Sequence, residues 1–293
     1  MGDKELAEAA VRRAYLADGA LVIITLIWGS TFITVKGAIQ GVGPFEFLAL
    51  RFGIACLALF VLFHGRLGRL GPSGLRGGAI IGVCLFVGYA LQTVGLQHTT
   101  ASRSAFITGL AVLVVPLLAF ALLRQRIGTG VALGVVLATV GLWLLSSDGE
   151  MAFGQGELLT IVGAVAFAAH IVAIGAYAPR FDPIGLAIVQ TGVTAALSAP
   201  FCLGLEWPPV VPTQEVWLAI AFTGLVASAF VLGAQTSIQR FTTPSHAALI
   251  FSLEPVFAGL FAYFLGGELL GASGILGGAL IVGGMVVAEL RRN

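Results

Sequence analysis

Glu254 is followed directly by Pro255 in the middle of the apolar run LIFSLEPVFAGLFAYFLGGELL, residues 249–270. An ionised carboxylate facing hydrocarbon at that depth costs at least ~3 kcal/mol, so Glu254 must face protein or water. Pro255 has no amide hydrogen, which leaves the Phe251 carbonyl without a helical partner and kinks the chain there. Two roles fit. Glu254 could bind a proton or a substrate amine in a pocket opened by the kink, or it could fasten its helix to a neighbour.

Other chemistry-bearing side chains are few. Gln92 and Gln235 are buried amides that need partners, either across helices or on a bound solute. Arg51 could hold a carboxylate in a bidentate fork, snorkel to the surface or pair with Glu46. Lys36, at a span end, reads as a snorkelling residue. His170 and His246 belong to types that titrate near neutral pH, and a packed polar contact accounts for them equally. Trp28, Tyr89, Phe106, Phe167 and Tyr263 could line an apolar pocket for an amphipathic or aromatic solute. Cys56, Cys84 and Cys202 lie in apolar runs without metal or redox spacing and read as packing residues.

The elements that must position these groups follow from composition. With 58 % apolar and 10 % charged residues, 40 glycines and a mean hydropathy of +1.02, the chain is an integral membrane protein. Ten apolar runs are long enough to cross a bilayer as helices, at about 19–36, 45–64, 76–97, 102–123, 129–146, 157–178, 184–204, 216–238, 244–265 and 271–289. The expected class is therefore all-α, with a single membrane domain. Residues 1–18 read as a cytoplasmic lead-in without a signal-peptide cleavage site. Connections are short apart from those near 146–156 and 205–215, which leaves no room for a soluble catalytic domain. Partners are then the lipid bilayer and a small-molecule solute, without nucleic acid, metal or cofactor, in a monomer or homodimer.

With the amino terminus inside, Lys4, Arg12, Arg13, Arg66, Arg69, Arg76, Arg124, Arg126, Arg180, Arg240, Arg291 and Arg292 all fall at cytoplasmic ends. Only Lys36 and Arg103 fall at outer ends, which by the positive-inside rule places both termini in the cytoplasm.

The sequence is also written twice. At a shift of 143, TTASRSAFITGL (99–110) lies on TTPSHAALIFSL (242–253), and the register continues through Gly128/Gly271, Gly134/Gly277 and Gly141/Gly284. It gives 14 identities in 46 gapless positions, far above chance for unrelated runs. Gln92 falls on Gln235 at the same shift, and Ala111 on Glu254. A shift of 139 aligns GVGPFEFLALRF with RFDPIGLAIVQT, pairing Pro44 with Pro183 and Trp28 with Phe167. The repeats are 19–146 and 157–290, with five spans each. An odd number inverts the second copy, a recurrent plan of secondary transporters with a midplane site between the halves. Pro116, about one turn beyond Ala111, is the first repeat's candidate hinge beside Pro255. Gly130-x-x-x-Gly134 and Gly274-x-x-x-Gly278 are candidate close-packing motifs.

LIWGSTFITVKGAI in the first span and LIFSLEPVFAGLFAYFLGGELLGASGILGGALIVGGMVV near the end resemble the EamA-type members of the drug/metabolite transporter superfamily. So does the duplicated five-helix layout, over nearly the whole chain. The resemblance implies a ten-helix exporter of small metabolites, the family's substrates including amino acids, other metabolites and cationic drugs, and the short connections suggest a bacterial inner membrane. Departures from the pattern are Gln125, where the first copy often has a Glu as at Glu268, and Phe167, where a Trp is common.

The expected function is export of small amphipathic metabolites, foremost neutral amino acids with aromatic or large apolar side chains, by alternating access. A cationic-drug exporter is the alternative within transporters. An intramembrane enzyme would need an aspartate pair, a Gly-x-Ser-x-Gly turn or His-Glu-x-x-His, and the sequence has none. A channel would need rings of like charge or a filter repeat. Phosphatase and fluorescent-protein reporters fused after Asn293 test the topology: only the cytoplasm-dependent reporter is expected to be active.

Overall fold

The structure, a computed structural model, describes residues 3–145, 154–266 and 271–290. Glu268, Arg291, Arg292 and the centre of the 146–156 connection lie outside the described residues. Those that are described form helices and their connections, without a strand. In chain order they are α1 (Asp3–Ala38), α2 (Pro44–Phe63), α3 (Gly71–Gln97), α4 (Ala101–Gly109), α5 (Ala111–Leu123), α6 (Thr129–Leu145), α7 (Gln155–Tyr177), α8 (Pro183–Leu205), α9 (Gln214–Ala221), α10 (Val231–Ile238), α11 (Pro244–Phe251), α12 (Glu254–Gly266) and α13 (Ala272–Leu290). A π-helical stretch, Phe222–Phe230, joins α9 to α10 in one continuous rod.

Eight of these rods are long and apolar enough to cross a membrane, and two shorter apolar helices lie within α6 and α13. Their outward faces carry exposed Leu57, Phe60, Leu62, Trp143, Leu158, Leu203 and Phe230, a surface suited to lipid. Inside, Thr25, Thr31, Thr191, Thr236 and Ser198 return their hydroxyl hydrogens to carbonyls one turn back in their own helices. The residues expected as an amphipathic lead-in are helical from Asp3 and run unbroken into the first apolar run.

Two pairs of equivalent helices, α2 with α8 and α6 with α13, pack against each other and run antiparallel. In α2 and α8, Phe45 stacks on Phe201, Cys56 approaches Gly192, and Arg66 pairs with Asp182 at 3.0 Å. In α6 and α13, a Cβ on Gly134 would lie 2.7 Å from the Gly284 carbonyl, and one on Gly141 only 2.5 Å from the Gly277 carbonyl. Since 134 corresponds to 277 and 141 to 284, each glycine meets the mate of the other, the signature of a pseudo-twofold axis through this seam. Of the four glycines expected to pack helices, Gly134 lies on the seam. Gly278 instead meets Val256 at an ordinary 3.6 Å, and Gly130 borders a separate cavity beside Thr242 and His246. The close contacts on the seam are seven residues apart, about two helical turns.

The fourth and ninth apolar runs are broken at equivalent positions. α4 ends and α5 begins around Leu110, and α11 gives way to α12 around Leu253, which is Leu110 shifted by 143. At both places the ladder tightens to three-residue bonds, Leu110 N to the Ile107 carbonyl and Leu253 N to the Ile250 carbonyl, both at 3.1 Å. Pro255 stands as the second residue of α12, where its missing amide hydrogen costs nothing. Pro116, expected as the first repeat's hinge, is accommodated inside α5. The discontinuity lies one and a half turns earlier, where Gly109 and not a proline ends the helix.

Replacing Gly141 by Leu should push α6 and α13 apart and destabilise the protein by about 1–3 kcal/mol, the range for overpacking a close contact. Gly53→Ala, where a Cβ meets nothing within 4 Å, serves as the neutral control. Thermal unfolding of the two variants in detergent measures the difference.

Candidate functional site

The two discontinuities meet. A Cβ on Gly109 would lie 2.8 Å from the Pro255 ring, so only glycine lets the breaks touch. Beside them a cavity opens between α1, α3, α4, α5, α7, α10, α11 and α12. Of its 19 lining residues, 16 form eight pairs related by the repeat shifts: Trp28/Phe167, Thr31/His170, Phe32/Ile171, Tyr89/Leu232, Gln92/Gln235, Thr108/Phe251, Gly109/Ser252 and Ala111/Glu254. The cavity therefore straddles the pseudo-twofold axis.

Its walls are aromatic. The Trp28 and Phe251 rings meet edge-on at 5.4 Å, and Tyr89 and Phe167 at 5.0 Å. Gly88 admits Phe167, whose ring would lie 2.8 Å from a Cβ there. The Trp28 indole N–H reaches across to the Ala227 carbonyl at 3.1 Å, inside the π-helical stretch. Such a stretch displaces its carbonyls from the regular ladder, which makes one available to an outside donor.

Its polar groups are held from behind. His170 Nε2 lies 2.8 Å from Gln190 Oε1, and the Gln190 amide donates to Thr236 Oγ1 at 3.0 Å. Gln235 donates to Gln239 Oε1 at 3.1 Å, and Gln239 to the Ile171 carbonyl at 2.7 Å. Gln92 donates to Thr108 Oγ1 at 2.8 Å. Glu254 has neither a basic partner nor a side-chain hydrogen bond among the described residues.

Of the sequence candidates, Trp28, Tyr89, Gln92, Phe167, His170, Gln235 and Glu254 are placed on the lining. Arg51 is not, nor does it snorkel or pair with Glu46. It is 1 % exposed behind Tyr89, donates to Ser228 Oγ at 2.8 Å and to the Tyr89 hydroxyl at 3.3 Å, and lies over the Tyr89 ring at 4.6 Å. Glu46 instead accepts from Val210 N at 3.1 Å. Phe106 and Tyr263 are placed elsewhere: Phe106 packs against the cluster around Val112 and Leu142, and Tyr263 is 43 % exposed against Phe264. His246 sits outside the cavity, 3.4 Å from Asp18. Lys36 does not snorkel; its ammonium binds the Leu96 and Thr99 carbonyls at the end of α3. Thr31, Phe32, Ile171, Leu232, Phe251 and Ser252 went unnoticed in the sequence. All but Ser252 and Phe251 are repeat mates or near neighbours of residues that were chosen, so extending the alignment from Trp28/Phe167 and Gln92/Gln235 would have found them.

Comparison with known proteins agrees with this architecture. The model of the EamA-like transporter family matches residues 16–147 and again 154–289. An uncharacterized transporter of Archaeoglobus fulgidus is 35 % identical over 281 residues, covering 96 % of this chain and 88 % of that protein. The uncharacterized inner membrane transporter YedA of Escherichia coli K12 is 28 % identical over 288 residues, covering 93 % and 90 %. A crystal structure with a TM-score of 0.76 and 23 % identity covers 95 % of this chain and 97 % of its own, and shares the fold. Matched in both halves by one family model, the chain belongs to the EamA-like transporter family of the drug/metabolite transporter superfamily and is a multi-pass membrane transporter.

Proposed function

We propose that the protein exports small amphipathic metabolites, foremost neutral amino acids with aromatic or large apolar side chains, by alternating access around the central cavity. The observation that carries this reading is the pairing of lining residues: a cavity built twice, from both repeats, at the point where two broken helices meet. Inverted halves can open toward either side at similar energy, and irregular backbone at membrane depth belongs where it lines a cavity. The aromatic walls and few polar groups suit a solute with an apolar body and a small polar head.

In this reading the chain crosses the membrane ten times, as α1, α2, α3, α4–α5, α6, α7, α8, α9–α10, α11–α12 and α13. Repeats 19–146 and 157–290 form one membrane domain in an inner membrane, where the relative YedA is an inner membrane transporter. Both termini are cytoplasmic, and Arg66 and Asp182 then pair at the cytoplasmic side. A second reading, export of hydrophobic cations, is favoured by the carboxylate of Glu254, which has no basic partner among the described residues.

Counterflow tests the proposal. Liposomes holding the purified protein and unlabelled phenylalanine should transiently accumulate trace labelled phenylalanine without an ion gradient. Failure with every amino acid, alongside accumulation of a cationic dye, would favour the second reading. Gly109→Val wedges a side chain between the discontinuities and should slow counterflow about tenfold or more while the protein still assembles. An unchanged rate would separate the breaks from transport.

A further inference from the structure

The far ends of the two broken rods carry the same device, built twice. α4 and α11 are the half-helices that end at the discontinuities, and each begins with a threonine cap. Thr100 Oγ1 accepts from Arg103 N and Thr243 Oγ1 from His246 N, both at 3.2 Å. The caps place Arg103 and His246 in the first helical turn, and the two residues are mates at the 143-residue shift. A cation in that turn is opposed by the partial positive charge of the helix end, so both positions call for a carboxylate from elsewhere.

Each finds one on the first helix of the opposite repeat. His246 Nε2 lies 3.4 Å from Asp18 of α1, and the Arg103 guanidinium lies 3.8 Å from Glu157 of α7. Asp18 and Glu157 are themselves mates, at the 139-residue shift that pairs Trp28 with Phe167. They stand ten residues ahead of those two rings, about 15 Å along each helix from the aromatic wall of the cavity. Because the repeats are inverted, the two pairs lie on opposite sides of it. In the proposed topology Asp18–His246 is at the cytoplasmic end and Glu157–Arg103 at the outer end.

The two ends differ in chemistry. Glu157 also accepts from Thr99 Oγ1 at 2.5 Å and from Gly154 N at 3.0 Å, and the Lys36 ammonium binds the Thr99 carbonyl at 2.9 Å. At the inner end Gly175, the mate of Lys36, packs against the Pro244 ring and brings no charge. A guanidinium keeps its charge, whereas an imidazole carries one only when protonated. From the elements packed against α11, α1 brings Asp18 to His246, and the α5–α6 connection brings Arg126 to the cavity beside it. α5, α6, α7 and α13 add no titratable group to that cavity among the described residues.

We propose that Asp18–His246 and Glu157–Arg103 are the two latches of alternating access, broken in turn to free α11 at the inner end or α4 at the outer, and that protonation of His246 sets the inner one. This rests on the cavity being the transport site. Each pair holds one repeat's half-helix against the other repeat's first helix, so that end of the cavity opens when the pair parts. Inverted halves make the two open forms similar in energy, and the modest worth of one partly exposed ion pair is then enough to tilt the balance.

The test uses Thr31→Cys, on the cavity wall, in the full-length chain with Cys56, Cys84 and Cys202 replaced by alanine. A membrane-impermeant maleimide labels it in inside-out and right-side-out vesicles. Asp18→Asn should raise labelling from the cytoplasmic side about threefold, the worth of such a pair, and lower it from the outside. Glu157→Gln should do the reverse, and opposite shifts are what a general loosening of the fold does not produce. Arg103→Gln removes the other half of the outer pair and should reproduce Glu157→Gln, so a poorly folded Glu157 variant leaves the test in place. His246→Arg, which the adjoining cavity can accommodate, keeps the inner pair charged. Cytoplasmic labelling of the His246 protein relative to this variant should rise about threefold from about pH 6 to pH 8, as imidazole loses its proton. Shifts of both carboxylate variants in one direction, or no shift in either, overturn the latches, and a ratio independent of pH overturns the protonation of the inner one. Phenylalanine counterflow with labelling unmoved would sink the latches and keep the transport reading. Opposite labelling shifts without counterflow of any solute would do the reverse.

Discussion

Backbone that leaves the helical ladder inside a membrane must find partners or water, because hydrocarbon supplies none. The fold is organised around two places where that rule is strained, the discontinuities at Leu110 and Leu253. Each lies at the end of a buried half-helix, each tightens by three-residue bonds, and each adjoins the cavity. Gly109 and Pro255 bring them into contact. Most other features serve to hold these two breaks together on one axis: the antiparallel α2–α8 and α6–α13 contacts, and the packing of α1 and α7 across the opposite repeat's broken rod.

The twofold plan gives the cavity its shape, and departures from it give the cavity its chemistry. Where one half has Ala111 the other has Glu254, and where one has Thr31 the other has His170. Gln92 and Gln235 keep the symmetry in type, yet only Gln235 is fully buried and braced by a second glutamine. The π-helical stretch Phe222–Phe230 has a regular α-helical counterpart within α3, and it supplies the carbonyl that holds Trp28 and the hydroxyl that holds Arg51. The first repeat thus contributes mainly aromatic wall, and the second the charge and the titratable ring.

Much of this was legible in the sequence. The helical class, the two repeats and the polar residues that stand out against an apolar background all follow from composition and from the 143-residue register. The position of the first break was not, because a proline advertises a broken ladder and a glycine followed by leucine does not. Pro116 drew attention one and a half turns too far along. Arg51 was read as a surface or ligand residue, since a lone guanidinium without a carboxylate is costly to bury. Its actual partners, two neutral oxygens and two ring faces, come from α2, α3 and the π-helical stretch, elements far apart in sequence. Phe106 and Tyr263 show the limit of reading aromatics: residue type marks a ring as apolar, and only the helix's rotation decides whether it meets the cavity, the core or the lipid.

The packing also restricts how alternating access could work. Rigid rocking of one repeat against the other would have to slide α3 over α7 and α8, α2 over α8, and α6 over α13. The α3 and α6–α13 interfaces are close-packed: Cβ atoms added to Gly77, Gly82, Gly88, Gly95 and Gly141 would all come within 3.0 Å of atoms in the opposite repeat. Close-packed surfaces of this kind shift between discrete arrangements and do not glide. The half-helices are different, because α4 turns on α5 and α11 on α12 at points where the ladder has already been relinquished. Motion concentrated there would change the two ends of the cavity while α2, α3, α7 and α8 stay locked by glycine contacts, and α6 and α13 by theirs. On the proposed mechanism, exchange between inward-open and outward-open forms would be a bending of two broken rods within a stiff frame, and the symmetry of the repeats would survive as the equivalence of the two bends.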